Sequence, residues 1–238
     1  MKRTVLNYLV VAALALSAVC TSCGGGGIGG SSGKIKMTTE QGGGFSFHLG
    51  GSGVATVDWG DGSEKVTLTL KESEDFPNVF FSHTYPNSTI RTITINGDNI
   101  TWLLCHDDIT SLDVSRCTEL TRLKCVGTFT SLDVSKNTAL TQLDCSGALT
   151  KLDVSKNTEL TVLDFQRNKL TSLDVSKNTA LTVLVCYYNP LTSSELNALF
   201  ETLHSNAGEK KIFIGYNPGV ADCDRSIAER KGWTVVSY

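Results

Sequence analysis

The chain has 238 residues, enough for one large or two small domains. Hydrophobic residues make up 40% and charged residues 19%, which excludes a wholly disordered chain. A net charge of −3 with no Lys/Arg cluster argues against a nucleic-acid partner, and four scattered His leave little from which to build His-based catalysis or a zinc site.

Lys2 and Arg3 open an apolar run, Val5 to Val19, broken only by Asn7 and Ser17. It is shorter than the roughly 20 residues a bilayer core requires, so residues 1–23 read as an export signal rather than a membrane span. Ser17-Ala-Val-Cys-Thr-Ser-Cys23 closes the run and Gly24–Gly27 follows. A small residue before a Cys, ahead of a flexible stretch, resembles the cleavage and acylation site of bacterial lipoproteins. Cys23, after the small Ser22, fits that site better than Cys20, after Val19; plain secretion without lipid is the alternative. The resemblance implies a lipid anchor at Cys23 and a cell-envelope location, on the surface or the periplasmic face of an outer membrane. Residues 24–33 (GGGGIGGSSG) form a flexible tether. Loss of Lys2 and Arg3 takes the net charge of the mature chain to −5.

Residues 34–98 read as all-β, with strands expected at Lys34–Glu40, Phe45–Gly50, Val54–Gly60, Glu64–Leu70, Val79–Tyr85 and Thr89–Asn96. The short, regular spacing suggests a small sandwich. TIRTITIN at 89–96 alternates strictly, so one face is buried and the other wet. Asp58-Trp-Gly-Asp-Gly62, His83-Thr-Tyr85 and the closing strand resemble the PKD-like bacterial β-sandwich, whose members serve as spacers or interaction modules. Asp61-Gly62 is a hairpin signal, a better reading than a Ca²⁺ loop, because no further oxygen ligands are spaced along it.

Residues 99–192 carry an internal repeat. SLDVSRCTEL, SLDVSKNTAL, KLDVSKNTEL and SLDVSKNTAL begin at 111, 131, 151 and 172, giving periods of 20, 20 and 21. Between them run variable pieces of the form L-x-x-L-x-C: Leu120 to Cys125, Leu140 to Cys145, Leu160 to Phe165 and Leu181 to Cys186, with Ile100 to Cys105 a degenerate first copy. The pattern resembles leucine-rich repeat proteins of the short bacterial class whose two half-repeats look alike. Each half is expected to form a short strand with its period-two apolar residues inward, and the coils to stack into a solenoid. Asn137, Asn157 and Asn178 should stack as a ladder that satisfies turn backbone, with Cys117 in that place in the first full coil. Asn168 and Asn189 do the same in the other half; the first two full coils are one residue shorter, so their turns should be tighter. Cys105, Cys125, Cys145 and Cys186 share one inward position with Phe165 and read as free thiols packed in the core, while Cys223 falls in a polar stretch.

A solenoid end must be sealed, and residues 193–238 read as an α/β cap. Thr192-Ser-Ser-Glu195 is a capping box, and Leu196, Leu199, Phe200 and Leu203 follow at helical spacing. Lys211–Gly215 reads as a strand, Asn217-Pro-Gly219 as a turn, Asp224–Lys231 as a second helix ended by Gly232, and Trp233–Tyr238 as a last strand in which Trp233 packs. The segment is similar to the closing piece of bacterial cell-surface leucine-rich lipoproteins. The fold class expected is therefore mainly β: a small sandwich, a leucine-rich repeat solenoid and an α/β cap.

The two halves of the repeat differ in what they vary. The SLDVS half keeps outward Asp113, Asp133, Asp153 and Asp174, with Arg116, Lys136, Lys156 and Lys177 three residues on; a salt-bridged, solvated edge is expected ahead of divalent-cation binding. The other half changes at nearly every outward position: Trp102, Leu104 and His106; Arg122 and Lys124; Gln142 and Asp144; Val162, Asp164 and Gln166; Val183, Val185, Tyr187 and adjacent Tyr188. Aromatics at both ends with charges between suit a recognition face for a protein or glycan. A spacer with no ligand of its own and a carbohydrate module using Trp102, Tyr187 and Tyr188 are the alternatives. No G-x-S-x-G, H-E-x-x-H or phosphate-loop motif occurs in a suitable context, so no enzyme, cofactor or metal is expected.

Overall fold

The structure is a computed structural model that describes residues 33–72 and 79–237; the expected signal and its Cys23 lie outside the described residues. The first six strands form where alternation places them: β1 (Gly33–Thr39), β2 (Gly43–Gly51), β3 (Val54–Asp58), β4 (Val66–Thr69), β5 (Val79–Tyr85) and β6 (Arg91–Gly97). Period-two patterning buries Ile35 and Met37 of β1 and Ile93 and Ile95 of β6 in one core with Phe45, Phe47 and Phe81. Phe47 stacks on Phe81 with ring centroids 5.3 Å apart. The Asp61-Gly62 turn joins β3 to an antiparallel β4.

The later elements are β7 (Ile100–Ile109), β8 (Ser111–Asp113), β9 (Arg122–Gly127), β10 (Gln142–Ser146), β11 (Val162–Asp164), β12 (Val183–Val185), α1 (Ser193–Thr202), β13 (Lys210–Phe213), α2 (Ser226–Glu229) and β14 (Trp233–Val236). From β7 through β9, β10, β11, β12 and β13 to β14 every neighbour is parallel, each strand one coil further along the chain. In-register leucines at 103, 123, 143, 163 and 184 bury their side chains on one side of this ladder.

The expected boundary at 98/99 is crossed by both sheets. β2 pairs antiparallel with β7, so one nine-stranded sheet runs β14-β13-β12-β11-β10-β9-β7-β2-β5. β8 pairs antiparallel with β1 and ends the five-stranded sheet β4-β3-β6-β1-β8.

One expectation is corrected. Strands form in the variable half of each coil, but the SLDVS half forms a strand only at β8. Elsewhere its backbone bonds are spent locally: the Val134 carbonyl accepts from the Asn137 N–H at 2.9 Å and the Asn137 carbonyl from the Leu140 N–H at 3.1 Å, with the same pair of turns in the next two coils. Leu132 and Val134 still point inward, so alternation survives without a ladder.

The Asn ladder supplies the lateral ties instead. Asn157 Nδ2 donates to the carbonyls of Val134 (3.0 Å) and Asn137 (2.8 Å), and Asn137 and Asn178 repeat this one coil away. On the opposite turn, Asn168 Nδ2 donates to the carbonyls of Cys145 and Phe165 while its Oδ1 accepts from the Leu149 N–H. Asn189 repeats the arrangement, and Asn217, expected only as a turn residue, is its third member.

Cys105, Cys125, Cys145 and Cys186 are buried free thiols, with Cys125 Sγ 3.6 Å from Cys145 Sγ. Burial pushes the Cys105 thiol up to about 12. At the cap, the Thr192 N–H donates to Glu195 Oε2 at 2.7 Å, and Leu196, Leu199 and Phe200 are buried. The second helix is shorter than expected, confined to Ser226–Glu229, and is followed by Gly232 at φ 79°. Trp233 is buried and its Nε1 donates to the His204 carbonyl at 2.9 Å.

Candidate functional site

The residues that alternate with the buried leucines share the outer face of the nine-stranded sheet. Register places them in rows. One row runs Trp102, Arg122, Gln142, Val162, Val183 and Lys211. A second runs His48, Leu104, Lys124, Asp144, Asp164, Val185 and Phe213. Gln166 and Tyr187 follow just past the ends of β11 and β12. The expected face residues are thus brought together, except Tyr188, which turns away to a rim described below.

The face is zoned. At its basic end the Arg122 guanidinium lies 4.8 Å from the centre of the Trp102 ring. Lys124 Nζ meets Asp144 Oδ2 at 2.5 Å. Asp164 stands beside Asp144 on the next strand, and its oxygens accept from the Gln166 N–H at 3.0 Å and Gln166 Nε2 at 3.1 Å. Burial and then the charge of Asp144 push the Asp164 carboxyl up to about 7. His106 is shifted the other way, below its ordinary value, by burial and by Lys124. At the far end Tyr187 meets Phe213 edge to face, with centroids 5.9 Å apart.

Several residues of this face come from outside the repeats as read in the sequence. His48 and Phe80 extend it through β2 and β5, with rings 4.9 Å apart and Phe80 exposed. Lys211 and Phe213 extend it at the other end. The signal for the latter was present: Ile212-Phe-Ile-Gly-Tyr-Asn-Pro218 aligns with Leu184-Val-Cys-Tyr-Tyr-Asn-Pro190, sharing the closing Tyr-Asn-Pro and the apolar first three positions.

The Asp residues of SLDVS have a different task from the expected salt-bridged edge. The Oδ1 atoms of Asp113, Asp133, Asp153 and Asp174 each accept the backbone N–H two residues on, at 2.8 to 3.0 Å. These bonds to Ser115, Ser135, Ser155 and Ser176 hold the carboxyls below the usual carboxylate range. Their invariance therefore reports a turn, not a charged surface. Among the described residues no group of three or more His, Cys, Asp and Glu is placed to hold a metal ion.

In the first unit, His83 Nε2 sits 2.7 Å from Asp61 Oδ2 and its ring stacks on buried Trp59, centroids 5.0 Å apart. Tyr85 donates its hydroxyl to the Trp59 carbonyl at 2.8 Å. Asp58 and Asp61 accept from the Gly60 and Ser63 N–H groups, so both carboxyls are tied to the turn.

No protein-family model and no curated protein matches the chain. Among solved structures it is similar to the functional domain of InlJ from Listeria monocytogenes, which is described as including a cysteine ladder. The similarity is 35% identity over 58% of this chain, with a TM-score of 0.47, and it spans 29% of that chain. The repeat spacing and the parallel ladder of this chain are leucine-rich-repeat-like.

Proposed function

We propose that the chain is a lipid-anchored, cell-envelope leucine-rich repeat protein that binds a protein partner through the outer face of its nine-stranded sheet. In this reading residues 34–98 are a PKD-like sandwich that seals the first coil, residues 99–192 a solenoid and residues 193–238 its cap. Cys23 carries the lipid and residues 24–33 the tether.

One observation carries the reading: the positions that vary from coil to coil converge in register on a single face, whereas the constant SLDVS positions are accounted for by turn bonds. Trp102, Arg122, Lys124, Gln142, Asp144, Asp164, Gln166 and Tyr187 make that face. Aromatic and Arg side chains dominate contact energies, and they stand at both ends of a charged centre.

The test is capture of a partner from native envelope, followed by affinity measurement on two double variants. Arg122→Ala with Tyr187→Ala is expected to weaken binding roughly thirtyfold or more. Asp133→Ala with Asp153→Ala is expected to leave affinity unchanged; the reverse outcome assigns recognition to the other half. For the anchor, Cys23→Ala should abolish fatty-acid labelling and membrane retention, and labelling that persists there but not in Cys20→Ala moves the lipid to Cys20.

A further inference from the structure

Past the ends of β11, β12 and β13 the chain turns through one left-handed residue per coil: Arg167 (φ 57°), Tyr188 (φ 54°) and Tyr216 (φ 59°). This backbone region is unfavourable for any residue with a Cβ and ordinarily falls to Gly or Asn. Here it carries a guanidinium and two large rings, and their side chains stack. The Arg167 guanidinium is 5.1 Å from the Tyr188 ring centre. The Tyr188 and Tyr216 rings are 4.3 Å apart and within 7° of parallel. The Arg167 N–H bonds to the Tyr187 carbonyl and the Tyr188 N–H to the Gly215 carbonyl, which orders the stack as Arg167, Tyr188, Tyr216.

Tyr216 ends the series. It is 66% exposed, the most exposed aromatic ring among the described residues. Tyr188 covers one of its faces, and the exposure that remains is more than a ring covered on both faces would keep. Tyr187 stands across it at 71°, centroids 6.4 Å apart. Tyr187 is seated there over Gly215, where a Cβ would come within 2.8 Å of Tyr187 Cε1. The result is a flat platform with one perpendicular aromatic wall.

We propose that this rim is a carbohydrate site in which a neutral pyranose stacks on the open face of Tyr216. An aromatic face is electron-rich and attracts the weakly positive C–H groups of the apolar face of a sugar. A sugar ring laid there continues the stack, and its equatorial hydroxyls stay in water or reach the phenols. The platform is open rather than enclosed, which suits one unit of a glycan chain and not a small molecule that needs a pocket. Tyr188 separates Arg167 from Tyr216, so the Arg167 guanidinium does not face the platform. The site is distinct from the Arg122 and Lys124 end of the sheet and stands whether or not that end binds a protein. Maintaining Tyr rather than Gly or Asn at a left-handed position is the expected cost of keeping the ring.

The experiment is affinity electrophoresis of the full chain through gels cast with glucan, mannan, galactan or xylan, followed by titration with the hexasaccharide of whichever polymer retards it. Wild type is expected to be retarded by at least one polymer. Tyr216→Ala should weaken hexasaccharide binding about tenfold or more, Tyr216→Phe should hold it within about twofold, and Arg122→Ala should leave it unchanged. Tyr216→Gly, which suits the left-handed backbone, should melt no lower than wild type and still lose retardation, separating platform from scaffold. Retardation by none of the four polymers overturns the proposal, as does undiminished binding in Tyr216→Ala. Loss of a protein partner with glycan binding intact in Tyr216→Ala gives the ring to a protein contact and also overturns it.

Discussion

Five Asp residues of the repeats titrate in opposite directions because their surroundings differ. Asp113, Asp133, Asp153 and Asp174 accept turn N–H bonds near the surface and are held low. Asp164 is half-buried beside Asp144 and is raised from 3.8 to about 7. A carboxyl raised on folding binds its proton more tightly in the native state, so it supports stability at low pH and loses that support as pH climbs from 3.8 to about 7. Asp164→Asn should therefore flatten the stability profile across that window and melt higher than wild type at pH 8, in thermal scans run from pH 4 to 8. A lower melting point for Asp164→Asn at pH 8 would contradict the assignment. The Asn ladder carries a different balance. Asn157 donates two buried bonds, yet the Oδ1 atoms of Asn137, Asn157 and Asn178 are buried without a partner. Both carbonyls keep their turn bonds from the Asn137 and Leu140 N–H groups, so the loss is of two lateral bonds set against one relieved oxygen, and Asn157→Ala should cost about 1 kcal/mol, read by urea unfolding. Cys145 is wholly enclosed, its thiol 3.6 Å from that of Cys125. A carboxylate there has no partner, and Cys145→Asp is expected to leave little folded protein, read as the soluble yield. Thiol reagents should reach Cys125 and Cys145 only after denaturation, and a disulfide-linked peptide joining them would contradict the free pair.

At the level of elements, the turns that close the variable half come in two forms. Where the coil is one residue longer, Asn168 and Asn189 fill the turn with donated bonds. In the shorter coils Gly127 and Gly147 let backbone approach backbone: a Cβ on Gly127 would lie 2.2 Å from the Ile109 carbonyl oxygen, and one on Gly147 would lie 2.8 Å from that of Gly127. The tighter turns read from repeat length are met by removing the side chain altogether. Gly127→Ala should cost about 3 kcal/mol by overpacking, whereas Gly44→Ala, with open space around it, should be close to neutral. Equal effects in denaturant melts would remove the close-approach account. The constant half lost its strands for want of a partner. Asp113 makes the same turn bond as Asp133 and Asp153 and still lies in a strand, because β1 runs beside Ser111–Asp113; the later coils have no such extended partner on that side.

Across the whole molecule, the first unit and the repeats are joined by hydrogen-bonded strands rather than by a linker. Thr38 pairs with Ser111, and Phe47, His48 and Leu49 pair with Cys105, Leu104 and Leu103. The side of the first coil that faces residues 33–97 is therefore paired in both sheets. Buried residues from Ile35 to Trp233 belong to one continuous core. Urea unfolding of the unaltered chain followed by Trp fluorescence and by far-ultraviolet circular dichroism should give the same midpoint. Midpoints that separate would mean that parts of the chain unfold as independent units. A fragment beginning at residue 99 exposes the β7 edge and is expected to aggregate or melt well below the full chain, as measured by light scattering during a thermal scan.

What the sequence by itself determined was periodicity. Alternation located the strands of residues 33–97, the 20- and 21-residue repeats placed Leu123, Leu143 and Leu163 inward, and the Cys positions followed because they occupy inward slots of the same period. Side-chain direction in a strand is a local property, so it was legible without neighbours. Partnership was not. Only the tertiary structure decided that β2 and β1 edge-pair with the first coil, that SLDVS turns rather than extends, and that Asn217 and Tyr216 continue ladders begun by Asn189 and Tyr188. Each of these depends on which backbone groups find one another across the fold. Ser111-Leu-Asp113 extends because β1 lies beside it, whereas the same three residues at 131–133 do not, and no window of residues contains the partner that makes the difference.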